Sequence, residues 1–374
     1  MLPVIAAFFT ILKIFVAFSV LILIHEFGHF VTAKISGVWV EEFGLGLPPR
    51  IFGRKIGDTV YSLNLLPIGG FVKLHGETSS DQVIYPERAF TNKKKATKVL
   101  ITIAGIFMNM VLAVLAFAII FWVIGIPGKV NLTITGVSEK SPAALAGVMA
   151  GDIVEKVDSK TINNGDEFKN EIASHKGKEI GLTLRRNGKE INLKATPRVN
   201  PPAGEGSLGV EFADIEESVY PPIWQRPIVT VWWGIKQTAE ITKLTVFGLG
   251  NAAGSVAHGE APKGVSGPLG ILAIFKLVSE LGILPLINLV GVISINLAVI
   301  NLVPFPPLDG SRVALVIVEW ITRRRMTAKM EERVYLVGFI VLIGFMLLIT
   351  SREIPALIQS GGIDKYASSL LNGK

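Results

Sequence analysis

The chain of 374 residues contains no cysteine. Disulfides and thiolate metal ligands are therefore excluded, and any bound metal must be held by histidine, aspartate or glutamate. Charge is also scarce. Only 18% of residues are charged and half are hydrophobic; the mean hydropathy is +0.51. A soluble globular domain is nearer roughly one quarter charged. The missing charge is missing in blocks. No Asp, Glu, Lys or Arg occurs from Val99 to Ile126, from Leu281 to Leu308 or from Val334 to Ser351. From Pro3 to Ala33 the only ionisable residues are Lys13, His25, Glu26 and His29. A bilayer crossing needs roughly 20 apolar residues, so four segments can span. The first is too long for a signal peptide and lacks a small-residue cleavage site.

Histidines number five, and two of them flank Glu26 in the run His25-Glu26-Phe27-Gly28-His29. Ionisable groups in lipid are costly and mark function by default. His25 and His29 lie one helical turn apart on one face. Two imidazoles so spaced can bind one Zn²⁺, with Glu26 as general base on a water. A proton or ion path is the alternative use of such a cluster.

Basic residues set the orientation. The loop after the first span carries Lys34, Arg50, Arg54, Lys55, Lys73, Arg88, Lys93, Lys94, Lys95 and Lys98; the stretch after the third carries Arg312, Arg323, Arg324, Arg325 and Lys329. Both are expected inside the cell, with the N-terminus, the region 127–280 and the C-terminus outside. The net charge of +7 then reflects topology. No separate basic domain with interleaved aromatics points to nucleic acid.

A catalytic zinc usually has three protein ligands and an open position. The third span ends Asn301-Leu302-Val303-Pro304-Phe305-Pro306-Pro307-Leu308-Asp309-Gly310, and Asp309 is the only carboxylate between Glu280 and Glu319. Spans one and three run the same way, so Asp309 can reach the depth of His25 and His29. Its alternative role is to cap a helix expected over Ser311 to about Ile321. Three prolines in four residues cannot continue a helix, and broken backbone at membrane depth must line a cavity or be buried in protein. A substrate helix must unwind before water can attack it, and an exposed sheet edge can hold the unwound stretch as an added strand. Thr59–Leu65 and Phe71–Leu74 read as two strands joined by a turn at Pro67-Ile68-Gly69-Gly70. Gly69, Gly70 and Phe71 are the candidate contacts on that edge. A plain cap with no substrate role is the alternative. Asn301 can hydrogen-bond freed substrate backbone or the broken helix itself.

These residues together resemble the site-2 protease family, in its bacterial regulated-intramembrane-proteolysis form. HEFGH matches the family's HExxH, Gly69–Leu74 its membrane-associated β-hairpin, Gly105 and Asn109 its GxxxN, Ser266–Gly270 the stretch before its third span, and Asn301–Gly310 its NxxPxPxLDG. The resemblance implies that His25, His29 and Asp309 bind one zinc ion, that Glu26 is the base, and that Asn301, Pro304 and Pro306 help hold substrate. It implies cleavage of single-span membrane proteins, such as anti-sigma factors and remnant signal peptides, at the bacterial inner membrane.

Ser138–Val154 resembles a bacterial PDZ domain, with a helix expected over Glu167–Ala173 and a terminal hairpin of Ile180–Arg186 and Lys189–Ala195 around Asn187-Gly188. A PDZ groove takes an extended peptide or protein tail by strand addition; a spacer role is the alternative. His75, His175 and His258 lack a partner at ligand spacing. Residues 201–222 read as a linker, Trp224–Gly250 as an interfacial helix with Ile228, Trp232, Ile235, Ala239 and Thr242 on one face, and Asn251–Gly267 as a loop. The expected whole is a polytopic α-helical membrane protein of about four spans, with a membrane-associated β-hairpin and one inserted α+β PDZ domain. Its parts are 1–126 and 281–374 as the membrane core, 127–200 as the PDZ domain, and 201–280 as linker and interfacial helix. Two other functions fit parts of the pattern: a catalytically silent PDZ scaffold, and an ion transporter. The scaffold leaves the zinc pattern unexplained; the transporter predicts charges in spans two and four.

Overall fold

The structure is a computed structural model that describes residues 2–77, 82–202, 204–258, 266–323 and 328–371. It divides into two compact units, Met1–Val123 with Pro227–Lys374, and Ile124–Arg226.

The first unit is built from long apolar helices. Among the described residues, four are long and apolar enough to cross a membrane: Phe8–Ile35 of α1 (Leu2–Ile35), α2 (Lys95–Ile124), α7 (Ile283–Leu302) and Lys329–Ser360 of α9 (Ala328–Ser360). These are the four spans expected from the charge-free blocks. Helices α5 (Arg226–Ala257), α6 (Pro268–Leu281), α8 (Asp309–Thr322) and α10 (Ile363–Leu371) complete the unit. α1 is its hub. Ala17 and Leu21 pack with Phe275 of α6 and Leu286 of α7, and Phe30 meets Phe43 at 5.1 Å between ring centroids.

α6 is held at both ends by charge from other helices. Buried Glu353 of α9 accepts from the backbone N–H of Gly267 (2.8 Å), Leu269 (3.2 Å) and Gly270 (3.0 Å). Lys13 of α1 donates to the Ser279 carbonyl at the other end. A carboxylate at the N-terminus and an ammonium at the C-terminus both complement the helix dipole. Helix α10 folds back after Gly361-Gly362 and buries Tyr366 and Ala367 against Ala273 of α6.

The hairpin differs from its expected form. Strands β1 (Val40–Ile56) and β2 (Thr59–Leu74) join through a tight turn at Gly57-Asp58. The expected turn at Pro67–Gly70 lies inside β2, where Gly69 (φ +96°) bends the strand without ending it. Gly44 faces Phe71 on one side and Ser62 on the other, while Gly53 also faces Ser62. The two long strands thus fold into four rungs, in the order 52–56, 59–63, 42–45 and 70–74. Residues 70–74 form an outer rung. Asn64, which is buried, donates to the carbonyls of Leu45 and Gly46 and holds the bend.

The second unit is a sheet with two short helices. Strand order is β7 (Lys189–Ala195), β6 (Ile180–Arg186), β4 (Ile153–Val157), β3 (Ile126–Val137) and β8 (Val210–Val219), with β5 (Lys160–Thr161) beside β4. The β6–β7 hairpin matches the expected one, its Asn187-Gly188 turn taking positive φ at both residues. Helices α3 (Pro142–Ala146) and α4 (Gly165–Ser174) are capped by Ser141 and Asn164. Strand β8 falls in the stretch read as a linker. Its acidic exposed positions Glu211, Glu216 and Glu217 concealed a strand whose Val210 and Phe212 pack on the core. A second correction concerns 251–267: Asn251–Ala257 continues α5, and 259–265 lie outside the described residues. Ile228, Trp232, Ile235 and Ala239 are exposed along α5, while Thr230 and Thr238 are buried.

The most buried charge in this unit is Asp152, which pairs with Arg186 (2.6 and 2.7 Å) and accepts from the Met149 N–H. Burial pushes its carboxyl up, but Arg186 and that N–H outweigh it and hold it below the ordinary value. Replacing Arg186 with Met in the full-length protein should destabilise this unit by about 3 kcal/mol at neutral pH, read as faster amide exchange in β4 and β6. A carboxyl with a lowered folded pKa stabilises above its unfolded pKa and loses that contribution as pH falls. The gap between variant and wild type should therefore close in acid.

Candidate metal centre

The close approach of α1 and α2 begins with two glycines. A Cβ on Gly28 would collide with the Ala104 carbonyl, and one on Gly105 with the His29 and His25 rings. Small residues at such crossings let helix backbones touch. His25 and His29 are thereby pressed against α2, their rings 4.8 Å apart edge to face. His29 Nδ1 sits 2.8 Å from the Ile101 carbonyl, which can only accept. Neutral His29 therefore carries its proton on Nδ1 and presents Nε2 as a lone pair. Asn109 places its Nδ2 3.2 Å from His25 Nδ1 and leaves its Oδ1 without a hydrogen-bond partner.

Asp309 comes from the broken end of the third span. α7 stops at Leu302, where the three prolines follow, and a short irregular segment leads into α8. Gly310 has no room for a Cβ against the Leu302 and Val303 carbonyls, so α8 starts directly beneath the end of α7. Leu308 is the N-cap and makes no side-chain cap. Asp309 is freed from capping and turns to the histidines: Oδ2 lies 3.0 Å from His25 Nε2 and 3.3 Å from His29 Nε2. The two Nε2 atoms are 3.2 Å apart. Despite these approaches, Asp309 Oδ2 is buried without a hydrogen-bond partner. A buried carboxylate oxygen left unpaired is costly. One ligand atom from each of the three residues lies within 4.8 Å of the others, the only such grouping of His, Cys, Asp and Glu among the described residues. Three side chains that can each offer an electron pair to one point fit a cation. Two imidazoles and a carboxylate suit zinc with one position left open.

Two cavities meet at this point. One of about 210 Å³ is lined by Glu26, His29, Phe71, Leu74, Glu77, Asp309 and Arg312 among others. The other, of about 290 Å³, is lined by His25, Glu26, Asn109, Asn301, Pro307 and Asp309 with four leucine or isoleucine neighbours. Glu26 and Asp309 border both. Gly70 stands beside the base, since a Cβ there would lie 3.6 Å from Glu26 Cγ. The expected site residues are therefore brought together except three. Gly69 borders neither cavity and stands against Leu47. Pro304 is exposed, and Pro306 packs against Gly338 of α9; Pro307 borders the cavities instead. Sequence reading missed Arg312, which pairs with Glu77 at 2.6 Å and ties α8 to the end of the hairpin. Its spacing, one turn after Asp309, was the available signal. His75 is fully buried, with Nδ1 2.8 Å from Glu41 Oε1 and Nε2 accepting from the Ile84 and Tyr85 N–H groups.

The sequence profile described as Peptidase family M50 matches residues 13–345. The chain belongs to that family. Similar chains include a Clostridium perfringens protein bearing a provisional zinc metalloprotease name, 35% identical and covering 90% of this chain and 96% of its own. The zinc metalloprotease RasP of Geobacillus kaustophilus is 27% identical, over 92% of this chain and 97% of its own. Among solved structures, the PDZ domain of an SdrC-like protein from Listeria monocytogenes matches 22% of this chain and 86% of its own at 20% identity, with a TM-score of 0.20. The site-2 protease resemblance read from the motifs is borne out, and the enzyme class is metalloendopeptidase. The M50 chain has the polytopic helical core expected of it, with a compact unit of sheet and two short helices inserted between its second and third candidate spans.

Gly105→Ala should abolish tight metal binding, because the added methyl occupies the space of both imidazoles. Metal content of the purified variant by atomic emission, set beside wild type, checks this.

Proposed function

We propose that this M50 peptidase cuts single-span membrane proteins within the bilayer, using one zinc ion per chain held by His25, His29 and Asp309. The observation that carries the reading is the convergence of those three electron-pair donors, one of them an unpaired buried carboxylate oxygen, on a helix apolar enough to span. Zinc in such a site supplies Lewis acidity that activates water and draws charge from a carbonyl. Glu26 takes the proton from the attacking water and returns it to the leaving amine. His25, His29 and Asp309 keep their lone pairs directed at one point throughout.

Substrate is held as an added strand. The outer rung 70–74 of the hairpin runs beside Glu26, and Gly70 brings bare backbone to the base. Gly69, Gly70 and Phe71 pair with the unwound substrate, and Asn301 donates to its freed carbonyls from the other cavity. Pro304 and Pro306 act on substrate only through the break they impose on α7. An apolar cavity of about 620 Å³, lined by Leu249, Ile271, Ile274, Leu289 and Val292, adjoins through Leu297, which borders both spaces. It suits the still-helical part of a single span. Anti-sigma factors and remnant signal peptides are the substrate types in view.

The enzyme sits in the bacterial inner membrane. The hairpin and α8 lie on the cytoplasmic side, joined by Arg312–Glu77, and the start of α2 is tied to α8 by Lys95 donating to the Glu319 carbonyl. The PDZ domain and both termini lie outside, where the groove between β8 and α4, lined by Phe168, Ile172, Leu208, Val210 and Phe212, receives a peptide or protein tail.

The test is cleavage of a single-span reporter by purified protein in detergent. Glu26→Gln should keep its zinc and lose at least about 10²-fold in rate. Cleavage by the variant at the wild-type rate would remove Glu26 from the chemistry. Asp309→Asn should lower zinc occupancy at fixed chelator concentration; unchanged occupancy would remove Asp309 from the ligand set.

A further inference from the structure

Both histidines of α1 need the same arrangement before they can hold a metal through Nε2: the proton on Nδ1 and a lone pair on Nε2. His29 gets it from the backbone, since the Ile101 carbonyl accepts from Nδ1. His25 faces α2 two turns further on, and there the neighbour is a side chain. Asn109 is fully buried in a span; its Nδ2 is placed 3.2 Å from His25 Nδ1, while its Oδ1 is buried with no hydrogen-bond partner, so turning the amide over brings that oxygen to Nδ1.

We propose that Asn109 is a positioning residue: its carbonyl oxygen accepts from His25 Nδ1–H, fixing the tautomer that turns His25 Nε2 toward the metal. The inference rests on the zinc reading above.

The two ends of an asparagine amide occupy the same volume and differ in what they offer. With the amine end toward Nδ1, His25 must carry its proton on Nε2, and the acceptor that proton is aligned with is His29 Nε2 at 3.2 Å. Asp309 Oδ2, though 3.0 Å away, is not in line to take it and stays unpaired. That arrangement closes the centre to a cation. With the oxygen toward Nδ1 the proton moves to Nδ1, and both imidazoles and Asp309 present lone pairs together. Ligating histidines generally hold their second nitrogen in a bond of this kind, and its loss lowers metal affinity by about 10- to 100-fold.

The rival role for Asn109 is to join α2 to α7. Ser294 of α7 does donate to it at 2.7 Å, but to the backbone carbonyl. A leucine would keep that bond. What leucine removes is the acceptor for His25 alone. The supports for both histidines then fall on one stripe of α2: Ile101 for His29, Gly105 for the space, Asn109 for His25, each four residues after the last.

The test is zinc competition against a chromogenic chelator, using full-length protein in detergent. Asn109→Leu should bind zinc about tenfold to a hundredfold more weakly. Asn109→Asp keeps an oxygen acceptor and should stay within a few-fold of wild type or exceed it. Zinc-free protein should melt at the same temperature in all three; if the leucine variant melts lower, Asn109→Ala takes its place. Wild-type affinity in the Leu or Ala variant would overturn the inference, as would equal losses in the Asp and Leu variants at matched melting temperature. Wild-type protein that binds no zinc would overturn the metal reading itself, which separates the two failures.

Discussion

A carboxylate oxygen and two imidazole nitrogens that face one another inside a membrane helix bundle leave the carboxylate unpaired until a cation joins them. The rest of the core follows from meeting that demand. Gly28 and Gly105 bring α2 close enough to orient the rings. Gly310 brings α8 close enough under α7 to present Asp309. The prolines between them end α7 at the depth where the carboxylate is needed. Each device is a local departure from ideal helix, and each would weaken a helix with no site to serve.

The same centre must be wet on two sides, because a hydrolase takes both a peptide and water. Glu26 borders one cavity that leads past Phe71 to the Glu77–Arg312 pair and another that leads past Asn301 toward apolar helix faces. The base is thus shared between a polar approach and one suited to a membrane segment. The outer rung of the hairpin lies along the first of them, so the strand proposed to pair with substrate also bounds the polar approach.

Much of this was legible in the sequence. Blocks without charge marked the spans because lipid excludes charge along a whole crossing. HExxH and the LDG segment marked the donors because metal chemistry restricts residue type and spacing. The hairpin was misread because Pro67, Gly69 and Gly70 are turn residues locally, while the fold uses Gly69 as a bend within a long strand. Strand β8 was hidden by its acidic outer face. Arg312 with Glu77, and Glu353 with the start of α6, join residues far apart in the chain, and no periodicity reports such pairs.

The meeting of α1 and α2 also limits how the enzyme can move. Sliding α1 by one residue would set Phe27 or His29 where only Gly28 fits against the Ala104 carbonyl, and would take His29 away from the Ile101 carbonyl. These two helices are keyed and travel as one rigid body. Helix α5 is keyed to the same body, since a Cβ on Gly234 would collide with the Val114 carbonyl of α2, so any opening of the core falls to the remaining elements, among them the α8–α9 pair.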